Sequence, residues 1–240
     1  MGVKLTRNKK RNLLLTFIYR GSKLLFISPK KRLKLFADLE WIFNRLTHEE
    51  SFKYYDEKHH PLRLFTYEYI LEQITSTDTV VDIGCKYGEI SNCIAEKAQK
   101  VIGIDYDADA IKKAKNNYKK SNLEFISSDA HEYLESKNIN YDVLILSHII
   151  EHLDNPSDFI NLFKSFFSRI YIEVPDFDNS YLNHYRKDVK TDLIYSDTDH
   201  VVEFDRFELL ALIKECDLKV ISSDYRFGIQ KIWCETNVNA

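Results

Sequence analysis

Apolar positions recur along this chain with two different periods, and the change falls near residue 79. Over residues 30–47, KKRLKLFADLEWIFNRLT, Leu33, Phe36, Leu39, Phe43 and Leu46 recur every three or four positions, the spacing of one helix face. Ser28-Pro29 marks its start, because proline is accommodated in the first turn of a helix. Pro61 opens a second helical stretch running to Ile74, with Leu64, Tyr67, Ile70 and Leu71 on one side. From Thr79 onward, short β-rich runs alternate with helical ones. TVVDIG, KVIGID, LEFISS, YDVLILS and RIYIEVP read as strands, and EISNCIAEKAQ, ADAIKKAKNNYKK, AHEYLES and PSDFINLFKSFF as the helices between them. Five strands alternating with helices specify an α/β fold, a mostly parallel sheet covered on both faces. Residues 176–204 read as irregular, polar and aromatic. After one more helix, RFELLALIKECD, the adjacent strands LKVISSDYRF and IQKIWCET are expected to form an antiparallel pair closing the sheet's edge.

The length of 240 residues allows one large domain with a substantial core, and no internal repeat or low-complexity segment interrupts it. A net charge of −3 conceals an asymmetry: residues 1–34 hold eleven Lys or Arg, while every acid lies beyond them. This basic head also carries LLLTFIY and LLFI, far shorter than the roughly 20 apolar residues of a membrane-spanning helix. No small-residue cleavage site follows them, so no secretory signal is expected and the chain reads as cytoplasmic. The preferred expectation is that the head's apolar stripe packs on the domain with its lysines solvated. Peripheral contact with an anionic membrane surface is the next reading, and RNA the third. Cys85, Cys93, Cys216 and Cys234 have no regular spacing, which fits reduced, buried thiols rather than disulfides or a zinc site.

The chemistry concentrates around VVDIGCKYGEIS, residues 80–91. Gly84 and Gly88 permit a tight turn after the first strand, at the sheet end where ligands bind in such folds. Alone, a Gly-containing turn is weak evidence. Asp105 ends the second strand some twenty residues later, where an acid accepts hydrogen bonds from ribose hydroxyls. Asp129 ends the third, within reach of an adenine amino group. Either acid could instead cap the helix that follows. Together they place a nucleoside across three consecutive strand ends. The loop lacks the G-x-G-x-x-G that secures a dinucleotide's pyrophosphate, and Lys86 stands at its second glycine. A residue with a Cβ restricts positive φ, so position 86 is expected in an ordinary backbone conformation.

These motifs in this order resemble the class I S-adenosylmethionine-dependent methyltransferases, from about Thr79 to Trp233. The resemblance implies a Rossmann-like fold, S-adenosylmethionine as cofactor, and cofactor contacts from Asp82, Gly84, Cys85, Lys86, Gly88, Asp105, Tyr106, Asp129, Ala130 and Ser147. YDVLILSHIIEHLDNP, IYIEVPD and DHVVEFDRFELLALIKECDLKV are similar to segments of a bacterial small-molecule subgroup that often modifies sugars or other metabolites. The organisation expected is a basic helical extension over residues 1–60 and a methyltransferase domain over 61–240. Residues 176–205, rich in Asp, Tyr and His after the fifth strand, are the expected substrate lid.

Methyl transfer to a hydroxyl gains from proton removal, and histidine titrates near neutrality. His148, at the end of the fourth strand, and His200 are the candidate catalytic residues, as base or substrate contact. HIIEH also fits H-x-x-E-H, an inverted zinc-protease pattern, but that needs both histidines on one face of a long helix, not a strand end. His148, Glu151, His152 and His200 resemble the Glu-x-x-Glu-His and later His with which some small-RNA 2′-O-methyltransferases hold a metal, with histidine in place of the first acid, and imidazole and carboxylate suit a divalent ion. The preferred expectation is that they order the loop, with no metal. The function expected is methyl transfer to a small acceptor, at the oxygen of a sugar or glycan-pathway intermediate. The competing readings are an RNA methyltransferase using the basic head and a non-catalytic nucleoside-binding or scaffold protein.

Overall fold

The computed structural model describes residues 12–56, 59–137 and 139–237. Its strands are β1 (Thr79–Ile83), β2 (Lys100–Asp105), β3 (Leu123–Ser127), β4 (Tyr141–Ser147), β5 (Phe167–Pro175), β6 (Leu218–Asp224) and β7 (Ile229–Thr236). They form one sheet in the order β3-β2-β1-β4-β5-β7-β6. β1 to β5 pair in parallel, and β7 runs antiparallel to both β5 and β6. The expected antiparallel pair is therefore present, with β7 inserted between β5 and β6. Strand order reverses between β1 and β4, so the loops after these two strands flank the crevice in which open sheets bind ligands.

Alternation along the strands builds two cores. Val81, Ile83, Ile102, Leu144 and Leu146 face one side, against Leu134 of α6 (Ala130–Lys137), Ile160 and Phe163 of α7 (Pro156–Phe163) and Leu209 of α9 (Arg206–Glu215). Val80, Val101, Val143, Ile145, Tyr171 and Trp233 face the other, against Tyr69 and Ile70 of α3 (Pro61–Gln73) and Ile94 of α4 (Glu89–Ile94). Period two along each strand sends successive side chains to opposite faces, which is why Val80 and Val81 part company. A smaller cluster joins Cys85 and Phe125 to Ile111 and Ala114 of α5 (Ala108–Asn117). α4 is shorter than EISNCIAEKAQ suggested. The Asn122 amide donates to the carbonyls of Ala95 and Ala98, at 2.9 and 3.0 Å, just past its end.

Two expectations need correction. Residues 176–204 are not irregular throughout, because α8 (Tyr181–Val189) lies within them. The Ser180 side chain accepts from Leu182 N at its start, and Lys190, at φ 56°, ends it in the left-handed region. Its polar composition had hidden the helical recurrence of Tyr181, Tyr185 and Val189. The second correction concerns the head. α1 (Leu13–Ser22) buries no residue, and Ala37 is the buried residue of the 26-residue α2 (Pro29–Tyr54). Phe17 and Phe26 of the head remain 76% and 102% exposed. α2 turns a polar and aromatic face to the domain instead. Among the described residues, no helix is long and apolar enough to cross a membrane.

α2 and α8 are fastened together over the open end of the sheet. Arg186, buried on α8, donates to Glu40 of α2 and to the Ala37 carbonyl. Trp41 Nε1 donates to the Tyr195 carbonyl at 2.6 Å, and Arg45 Nη1 reaches Asp197 Oδ2 at 2.6 Å. α2, part of the expected N-terminal extension, is thus the roof of the site.

Candidate active site

The turn after β1 is built by backbone geometry. Gly84 and Gly88 adopt φ 72° and 85°, and a Cβ at Gly84 would overlap the Ile149 side chain. Gly84 N donates to Ile104 O, and Gly88 N to Cys85 O, both at 2.8 Å. Lys86 does not take the ordinary conformation expected of it: its φ is 49°. The cause is Asp105, whose Oδ2 accepts the Lys86 backbone N–H at 2.9 Å while Oδ1 accepts from Asp107 N at 2.9 Å. An unbranched side chain tolerates this left-handed conformation at a cost of about 1–2 kcal/mol. Lys86→Gly is therefore expected to leave thermal stability unchanged or higher by up to about 1 kcal/mol, the strain relieved exceeding the added unfolded-chain entropy. A clear drop in melting temperature would show that the lysine side chain contributes more than its backbone costs.

A cavity of 760 Å³ opens beside this turn. Asp82, Gly84, Cys85, Lys86, Ser147, His148 and His200 line it, together with Trp41, Asn44, Arg45 and His48 from α2. The remaining expected cofactor residues do not line it. Asp105 and the 90% exposed Tyr106 lie on an open shelf at the end of β2. Asp129 and Ala130 stand at the end of β3, where Asp129 Oδ1 accepts from Glu132 N at 2.9 Å. That is the helix-capping role weighed for Asp129, and it leaves the second carboxylate oxygen for another partner. A carboxylate beside an exposed aromatic ring, next to a glycine turn, suits a nucleoside.

Asp82 is buried beneath the turn and accepts from Ser91 Oγ at 2.5 Å. Burial pushes its carboxyl up to about 7, against the opposing pull of the Ser91 hydrogen bond. A folded-state value above the unfolded one means that folding takes up a proton. Stability from this group is thus highest below about pH 4 and falls as pH rises to about 7. Asp82→Asn, with no charge to bury, is expected to gain on the natural protein across that window, by a few kcal/mol at pH 8 on the order of the shift. Urea denaturation of both proteins at pH 5 and pH 8 checks this. A gap that does not widen with pH contradicts it.

His148 follows β4 with φ 54°, its N–H donating to Glu173 O at 2.9 Å. Its Nδ1 lies 2.9 Å from Glu151 Oε1 and its Nε2 3.4 Å from Glu173 Oε1. Burial favours the neutral ring, but the hydrogen bonds and charges of the two glutamates outweigh it and push His148 up to about 10. A protonated ring donates and does not accept, so of the two roles expected of His148, base or substrate contact, it suits substrate contact. His200, paired with Glu203 at 2.7 Å, is also shifted upward: burial opposes protonation, but the Glu203 hydrogen bond and charge prevail. His48 behaves oppositely. Burial first, then the Arg45 charge, lowers its pKa, so it stays neutral on the cavity wall.

Sequence reasoning missed His48 and Glu173. Glu173 is buried on β5, with Ser147, Thr66, Tyr171 and His148 all directed at its carboxylate. A glutamate inside the apolar run IYIEVP was the available signal. For His48 there was none, because nothing in the pattern said which face of α2 meets the sheet.

Residues 74–216, more than half of the chain, match the family model described as a methyltransferase domain. The ubiquinone biosynthesis O-methyltransferase of Rickettsia akari is 36% identical over 114 residues, 43% of this chain and 43% of that protein. An uncharacterized RNA methyltransferase of Clostridium tetani is 36% identical over 75 residues, 30% of this chain and 16% of that one. The chain spans less than half the length of these curated relatives. The fold is shared with the magnesium protoporphyrin IX methyltransferase of Synechocystis PCC 6803, solved with bound S-adenosylhomocysteine. That likeness has a TM-score of 0.54 and 12% identity, and covers 94% of this chain and 96% of that one. The chain belongs to the methyltransferase-domain family, within the class I S-adenosylmethionine-dependent methyltransferases.

Proposed function

We propose that the chain transfers the methyl group of S-adenosylmethionine to an oxygen of a small polar acceptor, a sugar or glycan-pathway intermediate. The observation carrying this reading is the roofed cavity. Its 760 Å³ lies within the range of about 300–1,000 Å³ typical of small-molecule sites. It runs from the glycine turn to a wall of Trp41, Asn44, Asn179 and Asn183. Amide groups and an aromatic face suit a hydroxylated ring, and the fastened α2–α8 roof disfavours an extended polymer.

When bound, S-adenosylmethionine supplies an electrophilic methyl group on a sulfonium. The chain's part is positioning and proton handling. Asp105 and Tyr106 would hold the nucleoside and Asp129 its base, and the Gly84–Gly88 turn would let the ligand approach the backbone. His148, as a donor, orients the acceptor, while His48 takes the hydroxyl proton as the C–O bond forms. The roof excludes water. The test is calorimetric titration of the full chain with S-adenosylmethionine, then an acceptor screen with nucleotide sugars for the natural protein and His48→Gln. Micromolar-range cofactor binding with sugar methylation, slowed in the variant, is the expected result. Cofactor binding with methylation of RNA alone, or of nothing, would overturn this reading.

We also propose that α1 and the outer face of α2 rest on an anionic membrane surface. Phe17, Phe26 and Phe43 are 76%, 102% and 64% exposed, and the first 34 residues carry eleven cations without an acid. Apolar side chains among lysines and arginines suit a headgroup layer, where each cation contributes about 1 kcal/mol. Sedimentation with phosphatidylglycerol-containing vesicles should be strong and lost in Phe17→Glu, with little on neutral phosphatidylcholine. A concentration-dependent dimer without vesicle binding, or salt-sensitive RNA binding alone, rules it out.

A further inference from the structure

Glu151, His152 and His200 each present one ligand atom within 4.8 Å of the others. They come from two segments, the short 3-10 turn Ile150–His152 after β4 and the loop before α9. Backbone bonds join those segments: Val201 N and Val202 N both donate to Glu151 O, at 2.9 and 3.2 Å.

Two independent features point to a ligand. Glu151 is fully buried, and His148 Nδ1 engages its Oε1, yet its buried Oε2 has no hydrogen-bond partner among the described residues. Leaving such an atom unpaired costs at least about 1–3 kcal/mol. The second feature is the shared orientation of the two rings. His200 Nδ1 lies 2.7 Å from Glu203 Oε1, and His152 Nδ1 lies 3.2 Å from Asp199 O. A carboxylate and a carbonyl only accept, so each Nδ1 carries a hydrogen and each neutral ring holds its lone pair on Nε2. Partners of this kind hold metal-ligating histidines in their binding tautomer. The expectation that these residues only order the loop accounts for His148 and Glu151 Oε1. It leaves Oε2 and the paired ring orientation unexplained.

We propose that Glu151, His152 and His200 bind a divalent transition-metal ion through Glu151 Oε2 and the two Nε2 atoms. Two imidazoles and one carboxylate favour zinc, cobalt, iron or manganese over calcium, which takes oxygen ligands. Ligand bonds of about 2.0–2.2 Å require the three groups to close slightly on the ion. Three protein ligands leave coordination positions open, and His152 and His200 both line the cavity. An acceptor hydroxyl can complete the shell and lose its proton more readily there. That last role rests on the function proposed above; the ion's binding does not.

The test is titration of the full metal-stripped chain with cobalt(II), followed by visible absorption and competed with zinc. One ion per chain is expected. Roughly tenfold or greater weakening is expected in both His200→Ala and Glu151→Gln, and a comparable loss in Glu203→Ala through the freed ring. His131→Ala, at a remote histidine, should bind as the natural protein does. Circular dichroism and S-adenosylmethionine titration should be unchanged within a few-fold in the His200 variant. No stoichiometric cobalt binding, or binding indifferent to both ligand variants, overturns the site. Cobalt binding at these residues without methylation of any small acceptor would leave the metal site standing and sink the function. Chelator-resistant sugar methylation without cobalt binding would do the reverse.

Discussion

Replacing Glu173 with alanine is expected to destabilise the fold by about 3–5 kcal/mol, the scale for breaking a buried ion pair from one side. The carboxylate is 2% exposed and accepts from Thr66 Oγ1 at 3.1 Å, from Ser147 Oγ at 3.2 Å and from the Tyr171 hydroxyl. His148 Nε2 lies 3.4 Å away, and Lys231, fully buried, stands opposite Glu173 in the β5–β7 register. Burial alone would raise the Glu173 pKa, but the His148 hydrogen bond and charge, with Tyr171 and Lys231, hold it below the usual value. Burial pushes Lys231 down, and the Glu173 charge opposes that. Alanine would remove one of the two glutamates that face His148 and the nearest counter-charge of Lys231, and would leave three donors without an acceptor. Glu173→Gln keeps an acceptor and should lose less. Urea denaturation of both variants measures the difference. A loss below about 1 kcal/mol for alanine would mean that water enters and replaces the carboxylate, and that the cluster is not a structural hub.

The parts of this fold that were legible in sequence are those specified locally. Each parallel strand carries its own short apolar run, and Gly84 and Asp105 announce themselves by residue type and spacing. What stayed hidden depends on partners distant in the chain. Lys86 looked incompatible with a left-handed backbone, and only the Asp105 carboxylate, nineteen residues away, explains its φ of 49°. The insertion of β7 between β5 and β6 is a matter of sheet topology, and the β5–β7 register then pairs Glu173 with Lys231. Either charge alone, inside an apolar strand, was a visible anomaly; their pairing was not. Which face of α2 meets the domain stayed hidden for a related reason. Its regular Leu and Phe spacing specified a helix, while Trp41, Arg45 and His48 make the contacts that close the cavity. His152 and His200, 48 positions apart, meet only because Val201 and Val202 hydrogen-bond to Glu151.

Asp105→Ala is expected to weaken S-adenosylmethionine binding roughly 10- to 100-fold, the loss of a charged hydrogen-bond acceptor worth about 1–3 kcal/mol. Two routes lead to that result, and they can be separated. In one, the carboxylate binds the ribose hydroxyls directly. In the other, its loss frees Lys86 N and Asp107 N, both held at 2.9 Å, and the glycine turn loses its shape. If the ribose contact dominates, the penalty should nearly vanish for a 2′,3′-dideoxy analogue of 5′-methylthioadenosine, which has no hydroxyls to lose. If the turn dominates, the penalty should persist with that analogue. Lys86→Gly supplies the complementary probe. Glycine adopts φ 49° without the Cβ cost, so the turn depends less on the Asp105 bond, and the single variant should bind the cofactor within a few-fold of the natural protein. In the Asp105→Ala background, the same glycine should recover affinity only if the turn had collapsed. The open lone pairs of Asp105 and the exposed ring of Tyr106 beside it favour the ribose route. The expected outcome is a hydroxyl-dependent penalty that Lys86→Gly does not rescue. Unchanged affinity in a folded Asp105→Ala protein would remove Asp105 from the cofactor site altogether.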